Sequence, residues 1–241
     1  MLFQFSKMDS FPESVEEFLA GQVLLIDKPL GWTSFDVVKK IKNLIRTKYK
    51  LKKIKVGHAG TLDPLATGLL IICTGKFTKR ISEIQKQEKT YTGTITLGGT
   101  TPSYDLETEL NNNYETSHIT EKLIHQTAKQ FLGEIDQKPP IFSALKRDGE
   151  RLYEKARRGE KVEVPSRKVT INQFNITSVK NLNVAFKINC SKGTYIRSIA
   201  HDFGSALYSG GHLSKLCRTA IGKYSLKDSV SIEAFEEFLN K

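Results

Sequence analysis

Hydrophobic positions recur with helical spacing in some stretches of the chain and alternate as in strands in others. Pro12 followed by Glu13, Glu16 and Glu17 predicts a short opening helix ended at Gly21. Val23 to Ile26 predicts a buried strand closed by the turn Lys28-Pro29-Leu30-Gly31. Phe35, Val38, Ile41, Leu44 and Ile45 recur at helical spacing with lysines elsewhere on the surface, and Ser34 stands where a cap belongs. An irregular, glycine-rich stretch from Val56 to Gly68 precedes the apolar strand Leu69 to Cys73. Phe77 to Gln87 reads as helix. Tyr91, Gly93, Ile95 and Leu97 alternate with Thr92, Thr94 and Thr96, a strand pattern.

Residues 98 to 118 are predicted as a long surface loop, and Thr120 to Phe131 as a helix stopped at Gly133. After Pro139-Pro140 come a strand over Phe142 to Lys146, a turn at Asp148-Gly149 and a basic helix from Leu152 to Arg158. Val162 to Val179 and Val184 to Cys190 predict two antiparallel strands. Gly193 to Leu207 predicts a helix ended at Ser209-Gly210-Gly211, followed by a strand and a helix from Ile232 to Leu239. The elements are interspersed without βαβ spacing, which predicts an α+β fold with a mixed, largely antiparallel sheet flanked by helices.

Composition narrows the partner. The 241 residues carry 37 Lys and Arg against 26 Asp and Glu, a formal net charge of +11. Such an excess favours a polyanion, since Lys and Arg beside phosphates release condensed counterions, although many basic proteins bind none. Cys73, Cys190 and Cys217 lack CxxC spacing and read as reduced thiols. The longest apolar run is too short to span a bilayer, and the first residues lack the order of a secretory signal. The expectation is a soluble, cytoplasmic protein with no membrane partner. His58, His118, His125, His201 and His212 are too scattered to suggest a metal site, and there is no Walker-type phosphate loop.

The segment with chemistry in it is Gly57-His58-Ala59-Gly60-Thr61-Leu62-Asp63-Pro64-Leu65-Ala66-Thr67-Gly68. Its glycines allow close approach to the backbone, and Pro64 restricts the chain just after the Asp63 carboxylate. On pattern alone, an Asp before Pro is more often a turn or cap residue. The whole segment resembles the catalytic motif of bacterial tRNA pseudouridine-55 synthases, the TruB family. The resemblance extends through Asp27 to Ser34, Lys89-Thr90-Tyr91, Gln137 to Lys146 and Cys190 to Ile199, in the family's order, over about residues 22 to 224.

This resemblance implies a single pseudouridine synthase domain over 1–241 that isomerises the T-loop uridine of tRNA, position 55, after flipping it from its stack. The reaction breaks the glycosidic bond, turns the uracil and rejoins it through carbon, without redox change, so no cofactor and no metal are expected. Asp63 is implied as the catalytic carboxylate. Arg197 is implied as the cation that keeps it ionised, and Tyr91 as the aromatic that stacks on the base. His58 is implied beside the entry of the nucleotide, Leu216 in the pocket and Arg218 at a phosphate. Lys28 is implied in a motif packed beside the loop. Lys146, Arg147 and Arg151 open a run with Lys155, Arg157, Arg158 and Lys161, seven basic residues in 16, implied to close on the RNA stem-loop.

The chain ends about 17 residues after Tyr224, so no C-terminal PUA domain is expected. The partner implied is then the T arm of tRNA, without guide RNA, for a monomer. Where the family has Thr-Asp-Thr, this chain reads Thr101-Pro102-Ser103-Tyr104-Asp105, keeping the later acidic position. Two other readings stand beside the enzyme: a guide-dependent relative, and an RNA-binding protein that has kept the fold without catalysis.

Overall fold

The structure, a computed structural model, describes residues 12, 14–143, 145–147, 149–160 and 162–241; of Lys146, Arg147, Arg151 and Tyr153 it describes the backbone alone. In chain order the elements are α1 (Val15–Ala20), β1 (Val23–Lys28), α2 (Ser34–Lys48), β2 (Val56–His58) and β3 (Ala66–Thr74). A 3-10 turn, Gly75–Arg80, runs into α3 (Ile81–Gln85), then β4 (Lys89–Leu97), β5 (Gly99–Thr100) and β6 (Asn112–Asn113). Next come α4 (Glu121–Lys129), β7 (Gly133–Gln137), β8 (Lys146–Arg147), β9 (Glu150–Arg151) and α5 (Leu152–Arg157). The chain continues through β10 (Arg167–Lys180), β11 (Asn183–Cys190), α6 (Ile196–Ala206), β12 (Gly211–Ile221), β13 (Tyr224–Ser225) and α7 (Ile232–Asn240). The class is α+β, with mixed and mostly antiparallel strand pairing. Contacts divide the chain into two compact units, residues 1–91 with 216–241, and residues 92–215.

In the first unit β3 is the centre. It pairs antiparallel with β1 (Leu25 opposite Ile71) and with β2 (Gly57 opposite Cys73), and parallel with β12 (Leu216 opposite Ala66). The unbroken apolar run 69–73 follows from burial on both faces. Leu70 and Ile72 join Leu24, Ile26 and the inward faces of α2 and α7; Leu69, Ile71 and Cys73 join Leu25, Ala59, Ile84 and Ile221. Gly68 sits at φ +98, and a Cβ there would come within 2.5 Å of the Arg218 carbonyl oxygen and 2.8 Å of Cys217 Sγ. Glycine is therefore what lets β12 lie against β3 at the mouth of the Val56–Gly68 loop.

In the second unit β7, β10 and β11 form an antiparallel ladder (Val169 opposite Ile135, Phe174 opposite Ile188). Its core is aromatic. Phe174 meets Phe203 at 5.4 Å, Phe131 at 6.0 Å and Phe186 at 6.2 Å between ring centroids.

Four expectations are corrected. The cap of α2 is Thr33, whose side chain closes a box with Asp36, while Ser34 is the first helical residue. Phe77 to Gln87 is helical only in part, a 3-10 turn followed by the five-residue α3. The segment 98–118 holds the β5–β6 pair and is partly interior: Thr100, Thr101, Ser103 and Asp105 are buried. The strand expected over Phe142 to Lys146 shrinks to Lys146–Arg147, paired with β9, and the strand of this region is β7, before Pro139-Pro140. Polar β7 shows no alternation; its backbone pairing with β10 makes it a strand.

Candidate active site

The Val56–Gly68 loop of the first unit is held at nearly every residue around Asp63. Ala59 donates its N–H to Ile71 O at 2.8 Å as the loop leaves β2, and Ala66 donates to Asp63 O at 3.0 Å where β3 resumes. In between, Leu62 donates its N–H to Ser34 Oγ at 2.8 Å, and the same hydroxyl donates to Leu62 O at 3.0 Å. Pro64 O accepts from the N–H of Gly31 at 2.8 Å. Asp63 is therefore a half-buried carboxylate between neighbours whose backbones are already paired. The Ser34 hydroxyl, expected to cap a helix, braces this loop instead.

Two buried cations support it from below. Arg218 is 1% exposed; its Nε donates to Leu69 O at 2.8 Å, one terminal nitrogen to Gly60 O at 3.0 Å, and the other to Thr61 O at 3.4 Å. The planar guanidinium thus spans both ends of the loop, a geometry lysine does not offer. Lys28 is fully buried, and its Nζ donates to Trp32 O at 2.5 Å, Pro29 O at 3.0 Å and Pro64 O at 3.5 Å. Burial pushes the Lys28 ammonium down to about 8; of the charges acting on it, Asp63 is the strongest, favouring the charged form, and Arg218 opposes it. Arg218 was expected at a phosphate; instead it braces the loop through the carbonyls of Gly60, Thr61 and Leu69. Lys28, in the motif packed beside the loop, reaches it at Pro64 O and spends its other bonds on Pro29 O and Trp32 O.

The other expected residues of this unit surround the loop. His58 ends β2 with Nδ1 buried and without a hydrogen bond; burial lowers its pKa, only partly offset by the Gly60 backbone. The shift favours the neutral ring. Leu216 is half-buried in register with Ala66, and its carbonyl accepts from the Thr67 hydroxyl at 3.4 Å. Tyr91 is buried on β4, next to Thr90, whose carbonyl accepts from the Thr219 hydroxyl at 3.2 Å.

In the second unit Arg197, 4% exposed, is the second residue of α6. Its Nε lies 3.6 Å from Asp105 Oδ2, and a terminal nitrogen donates to Ser103 O at 3.3 Å. The divergent segment 101–105 is the seat of this arginine. Thr101 and Ser103 hydroxyls both donate to Asp105 O (2.6 and 3.1 Å), and Tyr104 stacks on His201 at 3.9 Å and 14°. Pro102 does not disrupt the turn. The start of α6 is clamped by Gln137, which accepts from Tyr195 N–H at 2.7 Å and donates to Tyr195 O at 3.0 Å. Tyr195 has no side-chain cap of its own, so the buried Gln137 amide serves as one.

Asp105 and Gln137 were not named as site residues from sequence; the signals were the retained acidic position and the Gln137-Lys138-Pro139-Pro140 motif. The side chains of Lys146, Arg147 and Arg151 lie outside the described residues. In the same run Arg157 pairs with Glu107 at 2.8 Å, and Arg158 pairs with Glu150 and Glu160. Among the described residues no cluster of His, Cys, Asp or Glu could hold a metal, and no helix is long and apolar enough to cross a membrane.

Comparison with known proteins gives the fold class first. The chain superposes with TM-score 0.67 and 25% identity on a chain of an H/ACA ribonucleoprotein bound to a substrate RNA containing 2'-deoxyuridine. A chain of a Cbf5–Nop10–Gar1 complex gives 0.67 and 28%. In these, 93% and 91% of this chain covers 55% and 54% of the other. Residues 46–196 match the TruB family pseudouridylate synthase N-terminal domain. A protein of Flavobacterium johnsoniae named tRNA pseudouridine synthase B is 64% identical over 225 residues, 93% of this chain and 98% of that one. The like-named protein of Phocaeicola vulgatus is 51% identical over 93% and 95%. The chain belongs to the TruB family of pseudouridylate synthases.

Proposed function

We propose that this protein isomerises the T-loop uridine of tRNA, position 55, to pseudouridine, with Asp63 as the catalytic carboxylate. The observation that carries the reading is the braced loop. A partly exposed carboxylate is held between Leu62, paired through Ser34, and Pro64, paired through Gly31 and Lys28. Preorganisation of this kind suits a group that must meet one face of a flipped nucleotide, and it is more than an RNA-binding surface needs. Asp63 attacks the extruded nucleotide and the N1–C1' bond to ribose breaks; the uracil rejoins C1' through C5, which loses its proton as N1 gains one, and Asp63 leaves again as a carboxylate. Substrate and product have the same atoms, and no electrons are gained or lost.

In this proposal Tyr91 stacks on the base and Arg197 is the active-site cation. Its fixed place at the head of α6, between Asp105 and the Gln137 clamp, supports a positional role. His58, whose neutral form burial favours, and half-buried Leu216 belong to the apolar surroundings of the nucleotide. The single domain acts on the T arm in the cytoplasm. The relatives named tRNA pseudouridine synthase B, covered almost end to end, support free tRNA over a guide-held substrate.

The test is pseudouridine formation in an unmodified tRNA transcript, mapped by position, for wild type and Asp63→Asn. Product at the T-loop uridine with wild type alone is expected. Tight tRNA binding without product from wild type would refute the assignment in favour of an RNA-binding role.

A further inference from the structure

The positive charge of this protein is concentrated where the reaction does not use it. Between Lys39 and Lys55, nine of 17 residues are Lys or Arg and none is Asp or Glu. The rest of the chain holds 28 Lys and Arg against 26 Asp and Glu, so this run accounts for nine of the eleven formal charges. Lys39, Lys48, Lys50, Lys52, Lys53 and Lys55 are exposed. Among the described residues, the ion pair of the run is Lys40 with Glu236. The run 146–161 differs, since carboxylates already engage Arg157 and Arg158.

The run is also rigidly presented. α2 is capped by the Thr33–Asp36 box and docked through Val37, Val38, Ile41 and Ile45. Phe35, Lys39, Lys42 and Arg46 follow at spacings of four, three and four along one stripe beside that core; Phe35 and Lys39 are exposed, Lys42 and Arg46 half-buried, and Arg46 Nε also donates to Leu51 O at 3.4 Å. Over these eleven steps the stripe extends about 16 Å. Its near end adjoins the Asp63 loop, through Gly31 N–H on Pro64 O. There Phe35 (69%) and Leu30 (64%) are exposed. An exposed aromatic leading into a line of lysines is the pattern of a surface that takes a base or ribose at one end and phosphates along the rest.

We propose that the outer face of α2 with the segment 50–55 is a second RNA-backbone contact, gripping phosphates of the substrate outside the flipped nucleotide, with Phe35 stacking at its near end. This rests on the tRNA reading, but it is tested on binding and not on product. The probe is an unmodified tRNA transcript, with Kd measured from 50 to 400 mM salt. The variants are Lys39→Gln/Lys42→Gln/Lys48→Gln/Lys52→Gln, Phe35→Ala, and a control in the second unit, Lys122→Gln/Lys129→Gln/Lys180→Gln/Lys187→Gln.

The α2 variant is expected to bind at least about tenfold more weakly at 50 mM salt, with a log Kd against log salt slope smaller by about two or more. Its KM should rise while kcat at saturating tRNA holds. Phe35→Ala should weaken binding about fivefold with the slope unchanged. The control should stay within about twofold of wild type in Kd, since the claim is for a local face. Unchanged Kd and slope in the α2 variant would overturn the proposal, as would an equal loss in the control. Loss of binding to anionic phosphatidylserine vesicles with an unchanged tRNA Kd would overturn it in favour of a membrane surface. An unchanged Phe35→Ala would overturn the stacking contact. Absence of pseudouridine from wild type would instead count against Asp63 chemistry and leave this result readable.

Discussion

Replacing Arg218 by Met separates the brace seen in the structure from the phosphate contact expected from the motif. The side chain makes two good charge-assisted hydrogen bonds, at 2.8 and 3.0 Å, and a marginal one at 3.4 Å. Each good one contributes about 1.5–3 kcal/mol, and the buried carbonyls of Leu69 and Gly60 lose their donors when it goes. Methionine fills much of the volume and avoids burying a charge, returning about 1–2 kcal/mol. The expected net loss is about 3 kcal/mol, read as a shift of the urea midpoint. The catalytic consequence should be larger than the stability loss implies. A loop displaced by about 1 Å costs on the order of a hundredfold in kcat, while KM for tRNA changes little. Arg218→Lys should behave more like Met than like wild type, because one ammonium cannot reach carbonyls on both ends of the loop. The reasoning fails if Arg218→Met unfolds at the wild-type midpoint and keeps kcat. A weakened tRNA Kd with a salt slope smaller by about one would then return Arg218 to a phosphate.

Lys28, with its pKa depressed to about 8, should make stability depend on pH in a defined sense. The folded state sheds this proton near pH 8 and the unfolded chain near 10.5, so the burial penalty is full below 8 and relieved as pH rises between them. Wild type should therefore gain on Lys28→Met by up to about 3 kcal/mol from pH 7 to 10.5; a flat difference in urea midpoints would refute this. Gln137→Ala should cost about 2 kcal/mol, for two hydrogen bonds at a helix start, and should lower kcat more than it raises KM. Gln137→Glu should recover stability relative to wild type as pH falls from 7 towards 4, when its carboxyl regains a proton to donate to Tyr195 O. No such recovery would deny the clamp its donor role.

Much of the fold was legible because burial leaves a periodic trace. The apolar run 69–73, the spacing along α2 and the alternation of Tyr91 to Leu97 each answer to one local geometry, and each became the element expected. The family and its loop were legible because twelve consecutive residues stand together in one motif. Strand β7 was not legible, since it is polar and owes its state to backbone pairing with β10. The interior place of Ser103 and Asp105 was not legible either, as a Pro-containing turn reads as surface until α6 brings Arg197 to it. Lys28, Ser34 and Arg218 show the same limit. Their sequence context suggested a place beside the loop, a cap and a phosphate contact, and only the packing of β1, α2 and β12 around the loop gave them the carbonyls they hold. A sequence records which groups carry charge and hydrogen-bonding capacity; which partner takes up that capacity is decided by segments distant in the chain, and therefore by the tertiary structure.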